Sequence, residues 1–219
     1  MRLILRRNPS GSRVRVRLLI TFLIFFQFAS AQRFEAGITV GAIASQLSGD
    51  RAAGYDKPGF EAGGFVATSL NEKFNAGFQI SYIQKGSRKT SNPDIGDFTF
   101  YRSRLNYIQV PFVLEYKFSK KISFDTFTGI AALLSQEEED EYGKILNRKE
   151  FSKWEWTAGL SFNYMLFENF QLQFGMENSV LPVRKNDGTE IYRLDRDQFN
   201  SLLRFAMRYK FKPSAENMK

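Results

Sequence analysis

The chain contains neither cysteine nor histidine among its 219 residues. The absence of cysteine excludes disulfides and thiolate metal ligands. The absence of histidine removes the commonest general base, the Ser-His nucleophile pair and imidazole-ligated metal sites. The G-x-S-x-G motif of serine hydrolases is also missing from the sequence. A carboxylate pair could still act as acid and base, and Glu35 and Glu177 are the candidates for it. We therefore expect no catalytic, cofactor-binding or metal-binding residues, and a protein that is not an enzyme.

Long apolar runs are also missing from most of the chain. Outside the N-terminus, no stretch reaches the roughly 18 consecutive apolar residues that a membrane helix requires. The mean hydropathy is −0.34, which a helical membrane protein would rarely show. Strands with one apolar and one polar face lower this average, so the value does not argue against a membrane β-barrel.

The N-terminal segment 1–31 has the features of a cleavable export signal. Six arginines precede an apolar stretch at 18–28, and Ala29-Ser30-Ala31 supplies a small-x-small cleavage site. An uncleaved anchor and an internal helix are the alternatives. Removing six arginines from the formal net charge of +8 leaves about +2 for residues 32–219. We therefore expect no nucleic-acid partner, because the basic charge belongs mainly to the discarded segment.

A two-residue alternation is the main signal in the rest of the chain. Between Phe74 and Tyr82 every second residue is aromatic or apolar, and the residues between them are Asn75, Gly77, Gln79 and Ser81. This period places unlike side chains on the two faces of a strand. The pattern predicts eight strands, most of them long enough to span a bilayer at a tilt. They are expected at 33–46, 59–70, 73–85, 101–118, 121–133, 152–166, 170–180 and 199–211.

The connections between these strands alternate in length. Three are short polar turns, at 71–73, 119–121 and 167–169. Four are long and rich in Gly, Pro, Asp and Lys, at 47–58, 86–100, 134–151 and 181–198. An even-stranded outer-membrane barrel with both termini in the periplasm has this arrangement.

The strands of a soluble barrel of the lipocalin type show the same alternation. Other features must therefore decide whether lipid or water surrounds the outer face. Charged residues lie within the strands on the polar face, and glycines at 37, 41, 63, 77, 129, 159 and 175 lie on the same face, as expected in a narrow lumen. Aromatic residues cluster near strand ends, as at membrane interfaces. They are Phe34, Phe60, Phe74, Phe118, Trp154, Tyr164, Phe170, Tyr209 and Phe211. These features favour lipid around the outer face.

The charges on the predicted inner face are balanced. The acids are Glu35, Glu61, Glu115, Asp125, Glu155 and Glu177, and the bases are Lys85, Lys117, Lys153, Arg204, Arg208 and Lys210. Eight strands enclose an interior just wide enough for side chains, where charges must pair or stay hydrated. We expect a salt-bridged filling, with a proton- or ion-conducting path as the alternative.

The acidic run at 137–141 is predicted to be a solvated, self-repelling loop, with weak cation binding or contact with a basic partner as the alternatives.

Pro111 lies within the fourth predicted strand. Because proline cannot donate to the ladder, it is predicted to mark a bulge or bend near a rim.

Four stretches carry a family resemblance. They are the G-x-x-x-G of 37–41, the segment 78–87 (FQISYIQKGS), the segment 105–111 (LNYIQVP) and the segment 127–132 (FTGIAA). In this order they resemble the outer-membrane β-barrel proteins of Bacteroidota, the PorT family. Two features differ from the family pattern. Gln79 stands where the family often has an acidic residue, and a polar tail follows Phe211, whereas family members usually end on an aromatic β-strand. The resemblance implies a barrel in the outer membrane but no substrate. The family's namesake resembles an assembly component of type IX secretion, and the general barrel motifs do not assign that role to this chain.

The sequence as a whole predicts an all-β protein, an eight-stranded antiparallel transmembrane β-barrel of the bacterial outer membrane. The expected organisation is a signal peptide at 1–31, a barrel at 32–211 and a short polar tail at 212–219. The expected function is that of a non-catalytic membrane scaffold or interaction protein that works through its extracellular loops. A type IX-like secretion component and a narrow pore are the alternatives. Outer-membrane lipid and other envelope or secretion proteins are the expected partners.

Overall fold

The computed structural model describes residues 34–49, 54–146, 148–185 and 197–211. The predicted signal peptide at 1–31 and tail at 212–219 lie outside these residues. Within the described part no helix has the length and apolar character needed to cross a bilayer. The strands found there are β1 Phe34–Ser48, β2 Lys57–Ser69, β3 Phe74–Lys89, β4 Tyr101–Lys117, β5 Ile122–Asp140, β6 Gly143–Lys144, β7 Trp154–Phe167, β8 Phe170–Ser179 and β9 Phe199–Lys210.

Eight of these strands close into an antiparallel barrel. The hydrogen-bonded order is β4-β3-β2-β1-β9-β8-β7-β5-β6, and β4 also pairs with β5. The seam between the first and last strands runs from Gly37 opposite Lys210 to Ser48 opposite Phe199. Every long strand therefore has two neighbours, and the ladder has no open edge along the barrel wall. The predicted eight-stranded antiparallel barrel is confirmed.

Two strands extend well beyond their predicted ends. Strand β3 continues to Lys89 and β5 continues to Asp140, where it also pairs with the two-residue strand β6. The segments 86–100 and 134–151 were predicted to be loops, and this is wrong for their strand-forming parts. Both extensions pair with β4, which begins at Tyr101, so the ladder continues past the region of strict apolar alternation.

The two faces of the wall follow the predicted alternation. Phe78 and Ile80 are 55% and 58% exposed on the outside, whereas Gln79 between them is 6% exposed and points inward. A girdle of outward aromatic rings encircles much of the short-turn end, with neighbouring ring centroids 4.9–6.5 Å apart. Its members are Phe74, Tyr116, Phe118, Phe124, Phe162, Phe167, Phe170, Tyr209 and Phe211. Such a girdle is typical of a membrane interface.

Pro111 is not at a bulge or near a rim. It lies buried in the middle of β4, opposite Gly129 of β5. The β4–β5 register shifts elsewhere, between Asn106 and Tyr107. Between Phe78–Phe112 and Ser81–Gln109 the β3–β4 ladder has no paired residues, as expected beside a residue that has no N–H donor. On the other side Gly129 allows close approach, since a Cβ there would collide with the Pro111 backbone.

An apolar cluster lies beside the charged groups in the half of the interior toward the long-loop end. It packs against these groups, since Leu105 is opposite Lys85 and Leu202 is opposite Glu177, and residues from the long connections cover it. Its members are Ile43, Leu47, Ile83, Leu105, Tyr107, Ala131, Phe151, Val183 and Leu202, with Leu133 packed against them. The predicted charge network is present in this half, but apolar side chains that the prediction did not include pack around it.

The facing of β3 leads to a mutational prediction. We expect Phe78→Arg to impair membrane insertion, because an arginine facing lipid at mid-bilayer costs about 2–4 kcal/mol. Gln84→Arg, on the same face of β3 but beyond the apolar band, is the matched control and should cost about 0–1 kcal/mol. The folded fraction is measured by the difference in gel mobility between unheated and boiled samples. Equal losses for the two variants would contradict the assigned facing.

Candidate functional site: the barrel interior and the long-loop end

A fully buried lysine lies at the centre of the interior charge network. Lys85 of β3 approaches Glu155 of β7 at 3.1 Å and Glu177 of β8 at 2.7 Å. All three side chains are at most 1% exposed. Asn200 of β9 donates to the Glu155 carboxylate at 3.1 Å. A charged group stays buried in such an environment only if ion pairs and hydrogen bonds replace the hydration that it has lost.

Arg204 extends this network across the barrel. Its guanidinium contacts Glu61 of β2 at 2.5 Å and Glu177 at 2.9 Å. Gln79 donates to Glu61 at 2.6 Å, and Gln109 donates to Glu177 at 2.8 Å. Three carboxylates and two cations, contributed by five different strands, therefore form one continuous chain of contacts. This chain ties distant parts of the wall together.

A second, smaller cluster lies nearer the short-turn end. Arg208 is 3.5 Å from the Asp125 carboxylate, which also accepts a hydrogen bond from Gln173 at 3.1 Å. Glu115 accepts hydrogen bonds from Asn75 at 2.7 Å and from Ser123 at 2.6 Å. Amides and hydroxyls outnumber the charged groups here, so most of the carboxylate contacts are made by neutral donors.

Two aromatic rings are sandwiched between a glycine and an arginine. Phe65 lies opposite Gly37 in the β1–β2 register, with the Arg208 guanidinium 4.1 Å from its ring centroid. Phe127 lies opposite Gly159, with Arg204 at 5.3 Å. A Cβ at either glycine would collide with the ring. The glycines thus make room for inward aromatic rings, and the rings support the arginines by cation–π contact.

The structure brings together most of the charges predicted to face inward. Glu61, Asp125, Glu155, Glu177, Lys85, Arg204 and Arg208 are buried in the two clusters, and Glu115 is half-buried beside them. Lys210 pairs with Glu35 at 2.8 Å at the short-turn rim, and Lys117 is half-buried at the end of β4. Placing Glu35 and Lys153 in the lumen was wrong, because both are exposed where the packed interior ends.

An arginine from the last long connection closes the long-loop end. Arg184 forms two parallel hydrogen bonds with the Glu138 carboxylate, at 2.6 and 3.0 Å, and donates to Gln198 at 2.8 Å. Its guanidinium lies 3.9 Å from the Phe151 ring centroid, above the apolar cluster. Burial acts to raise the pKa of Glu138, but hydrogen bonds from Arg184 and Tyr101 outweigh it and lower that pKa.

The acidic run at 137–141 is not a solvated loop. Residues Glu137 to Asp140 lie in β5, where alternate side chains point to opposite faces. Glu138 points inward to Arg184, whereas Glu139 and Glu137 pair on the outer face with Arg102 at 2.6 Å and Arg104 at 3.4 Å. Arg148, ten residues from Glu138, also contacts it at 3.4 Å, but Arg102, Arg104 and Arg184 lie more than thirty residues from their partners. The run alone therefore suggested self-repulsion.

The chemistry open to this interior is structural. In the described part of the chain no group of His, Cys, Asp or Glu side chains has the arrangement of a metal site. The central acids and bases are buried and paired with one another, which leaves them without contact to a dissolved substrate. Sequence reasoning found most of the ionised groups and placed Gln79 on the polar face, but it missed Arg184 and the neutral donors Gln109, Gln173 and Asn200.

An antiparallel eight-stranded barrel with an apolar outer wall, an aromatic girdle and a polar, packed interior defines an outer-membrane β-barrel. Residues 25–183 match the family model described as outer membrane protein beta-barrel domain, and the chain belongs to this family. The protein is therefore located in the bacterial outer membrane. In such barrels the short turns face the periplasm. The long-loop end is accordingly the extracellular end.

Solved outer-membrane barrels have a similar fold. Ail, the attachment invasion locus protein of Yersinia pestis, is 14% identical, with a TM-score of 0.48 over 81% of this chain and 98% of that chain. Neisserial surface protein A is 13% identical, with a TM-score of 0.47 over 81% of this chain and 97% of that chain. No curated protein matches the chain in sequence.

The central network predicts a strong effect of removing its lysine. Lys85→Met should lower the free energy of unfolding by about 3–5 kcal/mol, because Glu155 and Glu177 would lose their shared cation inside the barrel. Adding Glu155→Gln should restore part of this loss. Exposed Lys120→Met is the control and should be neutral. Urea unfolding in lipid vesicles measures all four proteins, and a Lys85→Met variant as stable as the wild type would contradict the network's role.

The extracellular closure predicts a pH-dependent effect. Because the pKa of Glu138 is lowered on folding, its contribution is full above the ordinary carboxyl pKa and is lost as the pH falls through the lowered value. At neutral pH, Glu138→Gln should accelerate hydrogen exchange of the Val183 and Gln198 amides about tenfold. These amides donate to Gln198 and Arg184 across the closure.

The two proteins are compared at each pH, so that intrinsic exchange rates cancel. Their exchange rates should converge below the lowered pKa, where wild-type Glu138 is also neutral. Glu137→Gln is the control, since its partner Arg104 lies on the outer face. A ratio between wild type and Glu138→Gln that does not change with pH would contradict the assignment.

Proposed function

We propose that this protein is a non-catalytic scaffold or interaction protein of the outer membrane that binds partners through its extracellular loops. The observation that carries the proposal is an extracellular projection with exposed apolar tips. Strands β3, β4 and β5 continue past the apolar band of the wall and form this projection, with β6 at its edge.

Ion pairs across neighbouring strands and loops stiffen the projection. Arg102 pairs with Glu139 across β4 and β5. Lys89 pairs with Asp97 at 3.0 Å between the end of β3 and the following loop. The backbone N–H of Phe100 donates to the Glu141 carboxylate at 3.4 Å, which joins the two loops that flank β4 and β5. A binding surface on such a support loses little conformational entropy when a partner binds.

Large apolar side chains are exposed at the tips of the projection. Ile95 and Phe98, in the connection before β4, are 76% and 70% exposed. Tyr142 and Leu146, after β5, are 92% and 85% exposed. Exposed apolar groups outside the lipid-facing band are costly in water, and clusters of them mark protein interaction sites. Interaction with another envelope or cell-surface protein accounts for their exposure.

The packed interior weighs against the narrow-pore alternative. Lys85, Glu61 and Glu177 are at most 1% exposed in the middle of the lumen. A conducting path would need water around these groups. The same burial supports a non-catalytic role, because these buried acids and bases are not accessible to a substrate.

Several finer elements belong to this proposal. An export signal at 1–31 is proposed because an outer-membrane protein must first cross the inner membrane. Membership of the Bacteroidota PorT-like group is proposed on the segments 78–87 and 105–111. Outer-membrane lipid and envelope or secretion proteins are the proposed partners, with no nucleic acid among them. A role in type IX-like assembly would be a particular case of such an interaction.

Site-specific photo-crosslinking in native membranes tests the proposal. A photoreactive residue at Ile95 should give a discrete adduct, and Phe98→Asp with Tyr142→Asp should abolish it. The matched control carries the probe at Lys120 in a periplasmic turn, where the same adduct should be missing. Absence of any adduct from Ile95, or its persistence in the double variant, would contradict the proposal. Identification of a secretion component, with loss of protein export in a deletion strain, would select the assembly role.

A further inference from the structure

Three arginines lie together on the outer face of the extracellular projection. Arg88 of β3 is directly opposite Arg102 of β4, and Arg104 is opposite Gly86 in the same register. The inward positions between them, Ser87 and Ser103, are buried, so the arginines point away from the barrel axis. Like charges directly opposite one another on neighbouring strands are destabilising. An anion that contacts these arginines together would therefore reduce the repulsion between them.

The neighbouring acids satisfy only part of this positive charge. Glu139 contacts the Nε atom of Arg102, and Glu137 contacts one Nη atom of Arg104 at 3.4 Å. The Nε atom of Arg104 is buried and has no hydrogen-bond partner among the described residues, so only the Nη atoms of this arginine can contact a ligand. Each guanidinium carries five N–H donors, so most donors of the two arginines remain outside these ion pairs. Arg88 forms no ion pair with any residue that the structure describes.

The effect on a nearby lysine is consistent with excess positive charge. Lys57 begins β2, outside the apolar band of the wall. Burial, and then the positive charges of Arg104, Arg102 and Arg88, lower the pKa of Lys57 to about 8. The positive charges of the three arginines therefore add to the effect of burial at Lys57.

The arginines lie at the depth of lipid headgroups. The apolar outer face ends at a row of hydrogen-bonded polar side chains, in which Gln84 donates to Asn106 at 3.1 Å and Asn106 donates to Ser135 at 2.8 Å. Arg104 is two residues beyond this row, and Arg102 is four residues beyond it. At about 3.3 Å per residue and a tilt of about 40°, these steps correspond to about 5 and about 10 Å along the membrane normal.

We infer that Arg88, Arg102 and Arg104 form a binding site for the phosphate groups of a phosphorylated lipid headgroup in the outer leaflet. The headgroup layer on each side of a bilayer is roughly 5–8 Å thick, so the backbone of Arg104 lies within it and the backbones of Arg88 and Arg102 lie a few ångströms beyond it. Long arginine side chains reach several ångströms along the wall toward such groups. Planar guanidinium groups bind phosphate oxygens in pairs. The outward direction favours a lipid over a soluble polyanion, which would meet the tips of the loops first.

Lipid binding by the folded, full-length protein tests the inference. Detergent-solubilised protein is titrated with diphosphorylated lipid A and with the same lipid after removal of its phosphates, and bound lipid is counted by native mass spectrometry. Wild type should retain the phosphorylated form selectively. Arg88→Gln with Arg102→Gln should weaken binding about tenfold. The matched control, Lys120→Gln with Lys121→Gln, removes two charges at the periplasmic end and should bind as the wild type does.

Arg88→Gln alone is the second variant, because it removes a charge without breaking an ion pair. Heat-modifiable gel migration verifies that each variant is folded. The inference is overturned if Arg88→Gln and the double variant bind phosphorylated lipid as tightly as the wild type, or if the lipid without phosphates binds equally well. Displacement of bound lipid by an equimolar soluble sulfated oligosaccharide would also overturn it, since the face would then be a site for soluble polyanions.

Discussion

A polypeptide inside a bilayer has to satisfy its backbone N–H and C=O groups within the protein, because lipid offers them no partner. The seam between β1 and β9 meets this requirement by joining the two ends of the sheet over twelve residue pairs. Closure then fixes the direction of every side chain, since successive residues must face lipid and interior in turn. The apolar outer wall, the interior network and the position of the extracellular projection all depend on this closed ladder.

The narrow interior imposes the second constraint. Eight strands leave room only for side chains, so each inward residue must pack against others or be satisfied by them. The protein meets this demand with an apolar cluster packed against the network of Lys85 and Arg204, and with an amide-rich cluster around Asp125 nearer the short-turn end. Because these side chains fill the lumen of the described barrel, the surfaces open to a partner are the outer wall and the ends of the barrel.

Much of the fold could be predicted from the sequence, because period-two alternation reflects the same constraint that closes the barrel. The strand from Phe74 and most of the buried ions followed from parity alone, whereas Glu35 and Lys153 have inward parity but lie where the packed interior ends. Contacts between distant residues could not be predicted in this way. The Lys85–Glu155 pair is separated by seventy residues, and most partners of the acidic run come from β4 and the last long connection. Strand ends beyond the membrane were also missed, because apolar alternation stops where lipid stops.

The absence of cysteine from the chain allows a direct test of this architecture, because every introduced cysteine is the only one present. Single cysteines at Phe98, Gln79 and Lys120 are treated on intact cells with a membrane-impermeant maleimide. The account predicts labelling at Phe98, labelling at Lys120 only after the outer membrane is permeabilised, and no labelling at Gln79 in either case. Labelling of Gln79 in the folded protein would show an open lumen, and labelling of Lys120 on intact cells would reverse the topology. Either result would contradict a solid barrel that acts through its extracellular end.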